Sequence, residues 1–264
     1  MMKILITGGD GYVAKSLFNS LSKEFDVTVV TRNNFDLTDS YETFNFFIDK
    51  YFDVIIHCAI VGGSRLKIDD ESVLDDNLRM YYNLLDNRHH FKKFIHFGSG
   101  AEIYFKDGPY GFSKHIINYS IQNKPDFYNI RIFGIFDENE LETRYIKTNI
   151  NKYIKGEPIH IFSDKKMDYF YMKDFISVVK YYILNENPPK IYDCVYSETK
   201  TLLEIANIIN SLDSHSVEIN VGDTQSENYT GNFVSLGLEY VGLESSIRDV
   251  YRELKYHNNS QLDQ

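Results

Sequence analysis

Hydrophobic and polar positions follow two alternating patterns along the first half of the chain. Short, nearly continuous apolar runs are typical of buried strands, and they occur at residues 3–7, 26–31, 53–58, 94–97 and 128–133. Between these runs, apolar residues recur at three- and four-residue steps. This spacing predicts helices at residues 10–22 and 73–85, and from about Tyr110 onward, just after Pro109. Strands that are apolar throughout and separated by helices indicate an α/β fold with a doubly wound parallel sheet.

The pattern becomes looser after about residue 136. Shorter elements are predicted there, with a strand at residues 158–162 and helices at residues 144–155, 173–184, 202–211 and 243–254. A chain of 264 residues is long for one minimal domain and short for two large ones. We expect a core of residues 1–136, with return segments near 158–195, and a smaller C-terminal lobe of residues 137–157 and 196–264.

The composition is that of an ordinary globular protein, with 25% charged and 43% hydrophobic residues. A formal net charge of -10 offers no broad basic face, which argues against a nucleic acid or an anionic membrane as partner. No segment approaches the roughly 20 apolar residues that span a bilayer. The N-terminal apolar run is too short for a signal peptide, so we expect a cytoplasmic protein.

The cysteines and histidines predict neither a disulfide nor a metal site. Cys58 and Cys194 are far apart and each lies in an apolar run, which favours thiols packed in a core. His57 and the pair His89–His90 lack cysteine or acidic partners at the spacing of metal ligands. We therefore expect no metal.

A glycine-rich turn follows the first predicted strand. Thr7 ends that strand, and Gly8, Gly11 and Ala14 follow at three-residue spacing before a helix and a second strand. In a dinucleotide-binding turn the first glycine allows the tight turn, the second lets the backbone approach the pyrophosphate, and a small third residue lets the helix pack on the strand. The N–H groups of the helix N-terminus then face the phosphates. A purely structural turn is the alternative, but this context favours a Rossmann-type cofactor site.

The end of the second predicted strand indicates which dinucleotide binds. An acidic residue there would bond the ribose hydroxyls of NAD, whereas this chain has Thr31 and Arg32. An arginine can pair with the 2′-phosphate of NADP. We expect NADP, with NAD as the second choice; the alternative is that Arg32 is a solvated loop residue.

Tyr110 and Lys114 are four residues apart at the start of a predicted helix and therefore share one helical face. A nearby ammonium favours the phenolate and lowers the pKa of a tyrosine from its usual value of about 10. A surface pair is the common alternative for this spacing. The position after the fourth strand favours a proton donor beside a hydride carrier.

These motifs resemble those of the extended short-chain dehydrogenase/reductase family, also called the NAD-dependent epimerase/dehydratase family. The resemblance covers most of the chain, and it is greatest to nucleotide-sugar reductases of the GDP-L-fucose synthase and dTDP-4-dehydrorhamnose reductase type. The matching segments are TGGDGYVA, FDLTD, DVIIHCA, the helix around Asn77, FGSG, the pair Tyr110 and Lys114, RIFGIF, and DYFYMKD around Asp174.

The resemblance implies a role for each matching residue. Tyr110 would be the general acid, and Lys114 would hold the nicotinamide ribose. Residues 61–63 would shape the substrate side, and the C-terminal lobe would bind the substrate. Cofactor contacts are implied at Gly8, Gly11, Tyr12, Val13, Ala14, Arg32, Asp36, Leu37, Cys58, Ala59, Tyr110, Lys114 and Phe133.

Two positions depart from the family pattern. The family's catalytic Ser or Thr stands four residues before the tyrosine matched by Tyr104. This chain has Gly100 there, so Ser99 would take the role through a one-residue shift. The cysteine and histidine that GDP-L-fucose synthase uses for epimerisation are matched near Glu102 and Asn139. Glu102 is either a base, as the corresponding glutamate of the 4,6-dehydratases would imply, or a loop carboxylate that faces water.

The resemblance implies an NADP-dependent reductase that acts on the keto group of a nucleotide-activated deoxy sugar. Two alternatives stay open. One is a nucleotide-sugar dehydratase or epimerase with tightly bound NAD(P), and the other is a catalytically weak cofactor-binding protein that kept the fold. The resemblance also implies a homodimer formed through helices that flank the sheet.

Overall fold

The computed structural model describes residues 1–64 and 66–262. Arg65 lies outside the described residues, as do Asp263 and Gln264 at the end of the predicted C-terminal lobe. The described strands are β1 (Lys3–Thr7), β2 (Asp26–Val30), β3 (Phe52–His57), β4 (Phe91–Ser99), β5 (Phe127–Ile132), β6 (Ile135–Phe136), β7 (Ile159–Ile161), β8 (Phe170–Tyr171), β9 (Ile191–Cys194) and β10 (Ile219–Val221). The described helices are α1 (Tyr12–Leu21), α2 (Ser40–Phe47), α3 (Ser72–Asp86), α4 (Ala101–Tyr104), α5 (Pro109–Gln122), α6 (Tyr145–Ile154), α7 (Met172–Leu184), α8 (Leu202–Asn210) and α9 (Leu243–Leu262). Within these described ranges, no helix has the length and apolar character needed to cross a membrane.

The main sheet of the described chain has six strands in the order β2, β1, β3, β4, β5, β9. The four pairs formed by the first five strands are all parallel. The chain runs outward from β1 to β2 and then returns past β1 to β3, so the strand order reverses between β1 and β3. Ligands of such sheets bind beyond the carboxyl ends of the strands at this switch point. The predicted Rossmann-type α/β fold is confirmed.

The chain forms two compact units. The first contains residues 1–132 and 178–192, and the second contains residues 133–177 and the chain from Asp193 onward. Within the second unit, β6 pairs in parallel with β8, and β7 pairs in parallel with β10. Large apolar side chains of this unit are fully buried, among them Phe136, Ile150, Phe170, Phe175 and Ile205. The second unit therefore has a hydrophobic core of its own.

Strand β4 is longer than the strand predicted at residues 94–97, because lysines interrupt its apolar run. Lys93 is a buried strand residue whose Nζ donates to the carbonyl oxygens of Tyr182, Ile183 and Asn185 at 2.6, 3.1 and 2.6 Å. The last carbonyls of a helix lack partners within it and favour a cation, so the C-terminus of α7 satisfies the buried charge.

Four buried polar side chains form a row across β1, β3, β4 and β5, and we call Thr7, His57, His96 and Asn129 the polar row. Thr7 pairs with His57, His57 with His96, and His96 with Asn129 in the register of the parallel strands. Residues at one register level point to the same face of a sheet. Thr7 Oγ1 lies 2.9 Å from His57 Nδ1, and the two imidazole rings stack with their centroids 5.6 Å apart. A continuous row of polar side chains therefore crosses four strands of the sheet.

Candidate active site

The glycine turn between β1 and α1 has a geometry that only small residues permit. Gly8 adopts a φ of 70°, and a Cβ added there would lie 2.6 Å from the Cα of Ala59. The turn is closed by hydrogen bonds from the N–H of Gly11 to the oxygen of Gly8 (2.9 Å) and from the N–H of Gly9 to the oxygen of Val30 (3.0 Å). The turn therefore brings the ends of β1, β2 and β3 together at the switch point.

Helix α1 begins at the same turn. Gly11 is its N-cap, in an extended conformation with φ -72° and ψ 151°, and glycine has no side chain with which to cap the helix. The first-turn N–H groups of such a helix attract an anion. The predicted contacts Tyr12 and Val13 lie in this first turn, and Ala14 is fully buried where the helix packs on the sheet.

A groove in the first unit collects seven of the predicted cofactor residues. Its lining comes from the glycine turn, the segment after β2 and the segment after β3, and comprises Gly8, Asp10, Gly11, Val30, Thr31, Arg32, Phe35, Asp36, Leu37, Cys58, Ala59, Ile60, Val61 and Met80. Cys58 is partly exposed here rather than packed in the core as expected, and both cysteines are free thiols. Desolvation raises the pKa of the Cys58 thiol, so it stays neutral.

The segment after β2 forms a tight turn that places Arg32 at the groove. Asn34 Oδ1 accepts from the backbone N–H of Thr31 at 2.8 Å and lies 3.2 Å from its hydroxyl. Asp36 accepts from the N–H and the hydroxyl of Thr38, both at 2.9 Å. These bonds, with a smaller contribution from the Arg32 charge, hold the pKa of Asp36 below its usual value. Arg32 itself is exposed, so its guanidinium can reach a ligand.

Tyr110 and Lys114 lie one turn apart near the start of α5, where Pro109 occupies the first turn. Lys114 is 4% exposed, and its Nζ donates to the carbonyl oxygen of Phe97 at 2.5 Å. Desolvation lowers the pKa of Lys114 to about 8, against smaller opposite effects of Glu102 and Cys58. The Nζ of Lys114 lies 5.9 Å from the centre of the Tyr110 ring. The predicted pair is therefore present as a buried ammonium beside a phenol.

The loop after β3 closes over the same tyrosine. Gly63 has a φ of 73°, and a Cβ added there would lie 2.7 Å from Cζ of Tyr110. The loop is held by Asn77 on α3, whose side chain accepts from the N–H of Val61 at 2.9 Å and donates to its oxygen at 3.0 Å. Asn77 also donates to Ser113 Oγ on α5 at 3.1 Å. Residues 61–63 and Tyr110 thus share one hydrogen-bonded framework.

Ser99 and Gly100 mark the end of β4 and the start of α4. Gly100 is the N-cap of the short helix, and Ser99 Oγ accepts from the N–H of Ala101 at 3.1 Å. Ser99 is therefore fixed at the carboxyl end of its strand, the edge at which Rossmann-type sheets bind ligands. Its proposed role in orienting a carbonyl stays a prediction.

Glu102 on α4 is 1% exposed, so the expectation of a loop carboxylate facing water is wrong. Its Oε1 forms an ion pair with Nε of Arg131, and Asn129 Nδ2 donates to its two oxygens at 3.1 and 3.3 Å. Burial raises the pKa of Glu102 even though Arg131 opposes the change. The sequence pattern did not predict Asn129 and Arg131 as residues of the site. Arg131 is the first residue of the segment RIFGIF, but its partner Glu102 lies 29 residues earlier in the chain.

Phe133 and Asn139 belong to the second unit. Phe133 is buried and packs edge-on against Tyr229, with ring centroids 5.4 Å apart. Its predicted place beside the nicotinamide stays a prediction. The N–H of Asn139 donates to Asp137 Oδ1 at 2.7 Å within its own loop.

Comparisons with known proteins identify the family to which the chain belongs. Residues 4–194 match the NAD dependent epimerase/dehydratase family, which confirms the predicted resemblance. The chain is 24% identical over 255 residues to a CDP-abequose synthase from Yersinia pseudotuberculosis, which covers 84% of this chain and 88% of that protein.

Solved structures share the fold. A GDP-mannoheptose C4 reductase from Campylobacter jejuni with NADP bound has a TM-score of 0.79 at 17% identity, over 96% of this chain and 98% of that chain. A UDP-glucose 4-epimerase from Thermotoga maritima has a TM-score of 0.79 at 17% identity, over 97% of this chain and 100% of that chain. Because a reductase and an epimerase match equally well, this similarity shows the fold and does not separate the two reactions.

Proposed function

Since the chain belongs to the NAD dependent epimerase/dehydratase family, we propose that it is an NADP-dependent reductase of the keto group of a nucleotide-activated deoxy sugar. The observation that carries the proposal is the pair formed by Tyr110 and the buried ammonium of Lys114, 5.9 Å from the ring centre. The reductase and synthase among the relatives support a nucleotide sugar as the substrate class. The second unit, which contains most of the predicted C-terminal lobe, is the proposed substrate-binding part.

The groove fits a dinucleotide. A Cβ at Gly8 would collide with the backbone of Ala59, and the N-terminus of α1 begins at Gly11 without a capping side chain. These features favour a pyrophosphate at the turn. The exposed Arg32 at the groove is suited to the 2′-phosphate of NADP. When bound, NADPH supplies the hydride for the carbonyl carbon.

Tyr110 supplies the proton in this proposal. As the carbonyl oxygen gains negative charge, the Tyr110 hydroxyl transfers its proton to that oxygen, and the product is an alcohol. The ammonium of Lys114 stabilises the phenolate that remains, because an adjacent positive charge favours the ionised phenol. Ser99, fixed at the end of β4, is the proposed donor that orients the carbonyl oxygen.

The surroundings of Glu102 favour a reductase over a dehydratase. A dehydratase of the predicted type would use this carboxylate as a base. Here its oxygens accept from Arg131 and Asn129 and the side chain is buried. We therefore propose that Glu102 stabilises the packing of α4 against the sheet and transfers no proton.

The test follows NADPH absorbance with GDP-, dTDP- and CDP-linked 4-keto-6-deoxy sugars and identifies the products by mass. A reductase consumes one NADPH per product, and Tyr110→Phe lowers kcat by about a hundredfold or more. The same variant binds NADPH as the unaltered protein does. Tyr119→Phe is the matched control, because Tyr119 is an exposed tyrosine on the same helix and should leave kcat unchanged.

The other outcomes identify the alternatives. A product isomerised or dehydrated with no net consumption of NADPH would show an epimerase or dehydratase, the function indicated by the family name. NADPH binding without any turnover across the panel would show a catalytically weak protein. Full activity of Tyr110→Phe would refute the role of Tyr110.

We also propose that the chain forms a homodimer through a helix flanking the sheet. Phe112 and Tyr119 are seven residues apart on α5 and therefore on one face, and their side chains are 42% and 68% exposed. Light scattering coupled to size exclusion should give the mass of two chains. A monomeric Tyr119→Glu variant would support α5 as the contact, and a monomeric unaltered protein would rule the dimer out.

A further inference from the structure

One member of the polar row, His96, contacts the proposed catalytic lysine, Lys114. His96, the third member of the row, is fully buried on β4, and its Nε2 lies 3.5 Å from the Nζ of Lys114. This distance is at the long end of the hydrogen-bond range. The shorter bond of the same ammonium goes to the oxygen of Phe97, the residue after His96 on the strand. Two consecutive residues of β4 thus face one ammonium.

The charge state of this site depends on groups from several elements. They are His57 at the end of β3, Cys58 in the loop after it, His96 on β4, Glu102 on α4 and Tyr110 on the lysine's own helix. Burial and the lysine charge lower the pKa of His57 to about 3 and that of His96 well below the usual value. Both imidazoles are therefore neutral at neutral pH, and each has one nitrogen that accepts a hydrogen bond.

The ammonium decides which nitrogen of His96 carries the proton. An ammonium has only donors, so the nitrogen facing it must be the acceptor and the proton must be on Nδ1. Among the described residues, His96 Nδ1 and Asn129 Oδ1 are buried atoms without a hydrogen-bond partner. These residues are register partners on β4 and β5. With the proton on Nδ1, His96 presents a donor to the acceptor Oδ1 of Asn129. With the proton on Nε2, two donors, the Nε2–H group and the Lys114 ammonium, would face each other.

We propose that His96 is a positioning residue for Lys114: as a neutral imidazole protonated on Nδ1, it accepts a hydrogen bond from the ammonium at Nε2. Together with the oxygen of Phe97, it keeps Nζ in one place beside the Tyr110 ring. The proposal depends on the proposed function in one respect, namely that Lys114 takes part in catalysis. The contact and the tautomer are properties of the folded chain.

The tautomer can be measured without any activity. Long-range ¹H–¹⁵N correlation spectra of the protein labelled with ¹⁵N-histidine distinguish the two neutral tautomers, and the His96→Gln variant assigns the His96 signals by their loss. We expect His96 to be protonated on Nδ1 and to stay neutral from about pH 6 to pH 9. A proton on Nε2, or titration of the ring within that range, would overturn the proposal even if the enzyme proves to be a reductase.

The pH profile of kcat then tests the positioning role. His96→Phe keeps an aromatic ring but removes the acceptor, and His96→Gln keeps an acceptor. Without the acceptor the buried ammonium is less stable, so the fall of kcat at high pH should begin about one pH unit lower, with kcat about fivefold lower at pH 8. His96→Gln should restore the profile. Equal profiles for the two variants would refute the role; absence of all turnover would refute the proposed function and leave the tautomer measurement as the test.

Discussion

The backbone of Gly63 packs against the ring of Tyr110. Gly63 has a φ of 73°, and an added Cβ would lie 2.7 Å from Cζ and 2.8 Å from Cε2 of the ring. Gly63→Ala should therefore displace the phenol that donates the proton. A displacement of about 1 Å at a reacting group can lower a rate about a hundredfold, and we expect a decrease of that size in kcat with NADPH affinity retained.

Gly156→Ala provides the matched control for this variant. Gly156 has a φ of 72°, yet nothing lies within 4 Å of an added Cβ. The substitution carries the same backbone strain, about 1–2 kcal/mol, without a contact to the site. It should lower the melting temperature and leave kcat unchanged. Equal losses of kcat in both variants would mean that strain alone, and not contact with Tyr110, explains the effect of Gly63→Ala.

A second prediction concerns Glu140, a buried carboxyl in the second unit. Burial raises its pKa to about 8, against the hydrogen bond that it accepts from the N–H of Lys147 at 3.1 Å. Between the usual value of 4.5 and about 8, the folded chain binds a proton that the unfolded chain has released. The free energy of unfolding therefore falls as pH rises through this interval.

Glu140→Gln should remove this dependence, since a neutral amide can still accept from Lys147. We expect the variant to exceed the unaltered protein in stability at pH 9, by on the order of 5 kcal/mol, and to match it near pH 4.5. Urea unfolding at a series of pH values measures the difference. Glu157→Gln, at an exposed carboxyl, should change stability little at any pH. A Glu140→Gln variant that is less stable at pH 9 would contradict the assignment.

The glycine turn and its flanking strands can be predicted from the sequence because their determinants are local. The turn at Gly8 and the strands around it depend on neighbouring residues, and their alternation with helices along the chain indicates a parallel sheet. The structure of β4 depends on distant partners, since the Lys93 ammonium bonds a carbonyl 89 positions away. Helix α2 escapes prediction for another reason: its apolar residues Tyr41 and Phe44 face solvent and obscure the helical period.

The surroundings of Glu102 could not be predicted either, because its partner Arg131 is 29 residues away in the chain. A third prediction concerns the role of Glu102. Glu102→Gln keeps the shape of the side chain but removes the charge that pairs with Arg131. Weakening a hydrogen bond to a buried charged group should cost about 1.5–3 kcal/mol of stability. In a reductase, kcat of the folded variant should stay within about threefold of the unaltered value. A loss of a hundredfold or more would instead make Glu102 the base of a dehydratase.

The last prediction concerns the choice of cofactor at Arg32. The turn from Thr31 to Asn34 holds this exposed residue at the groove, where a guanidinium can form paired bonds with a phosphate. Arg32→Ala should weaken NADPH binding about ten- to a hundredfold and leave NADH binding unchanged, because only NADPH carries the 2′-phosphate. Fluorescence titration of both cofactors measures the two affinities. Added salt should reduce the difference between the affinities of the unaltered protein for NADPH and NADH.

Arg88→Ala is the control, since Arg88 is exposed just before β4, at the amino end of the strand. If Arg32→Ala weakened both cofactors equally, Arg32 would contact a part that NADPH and NADH share, and the preference for NADP would need another residue.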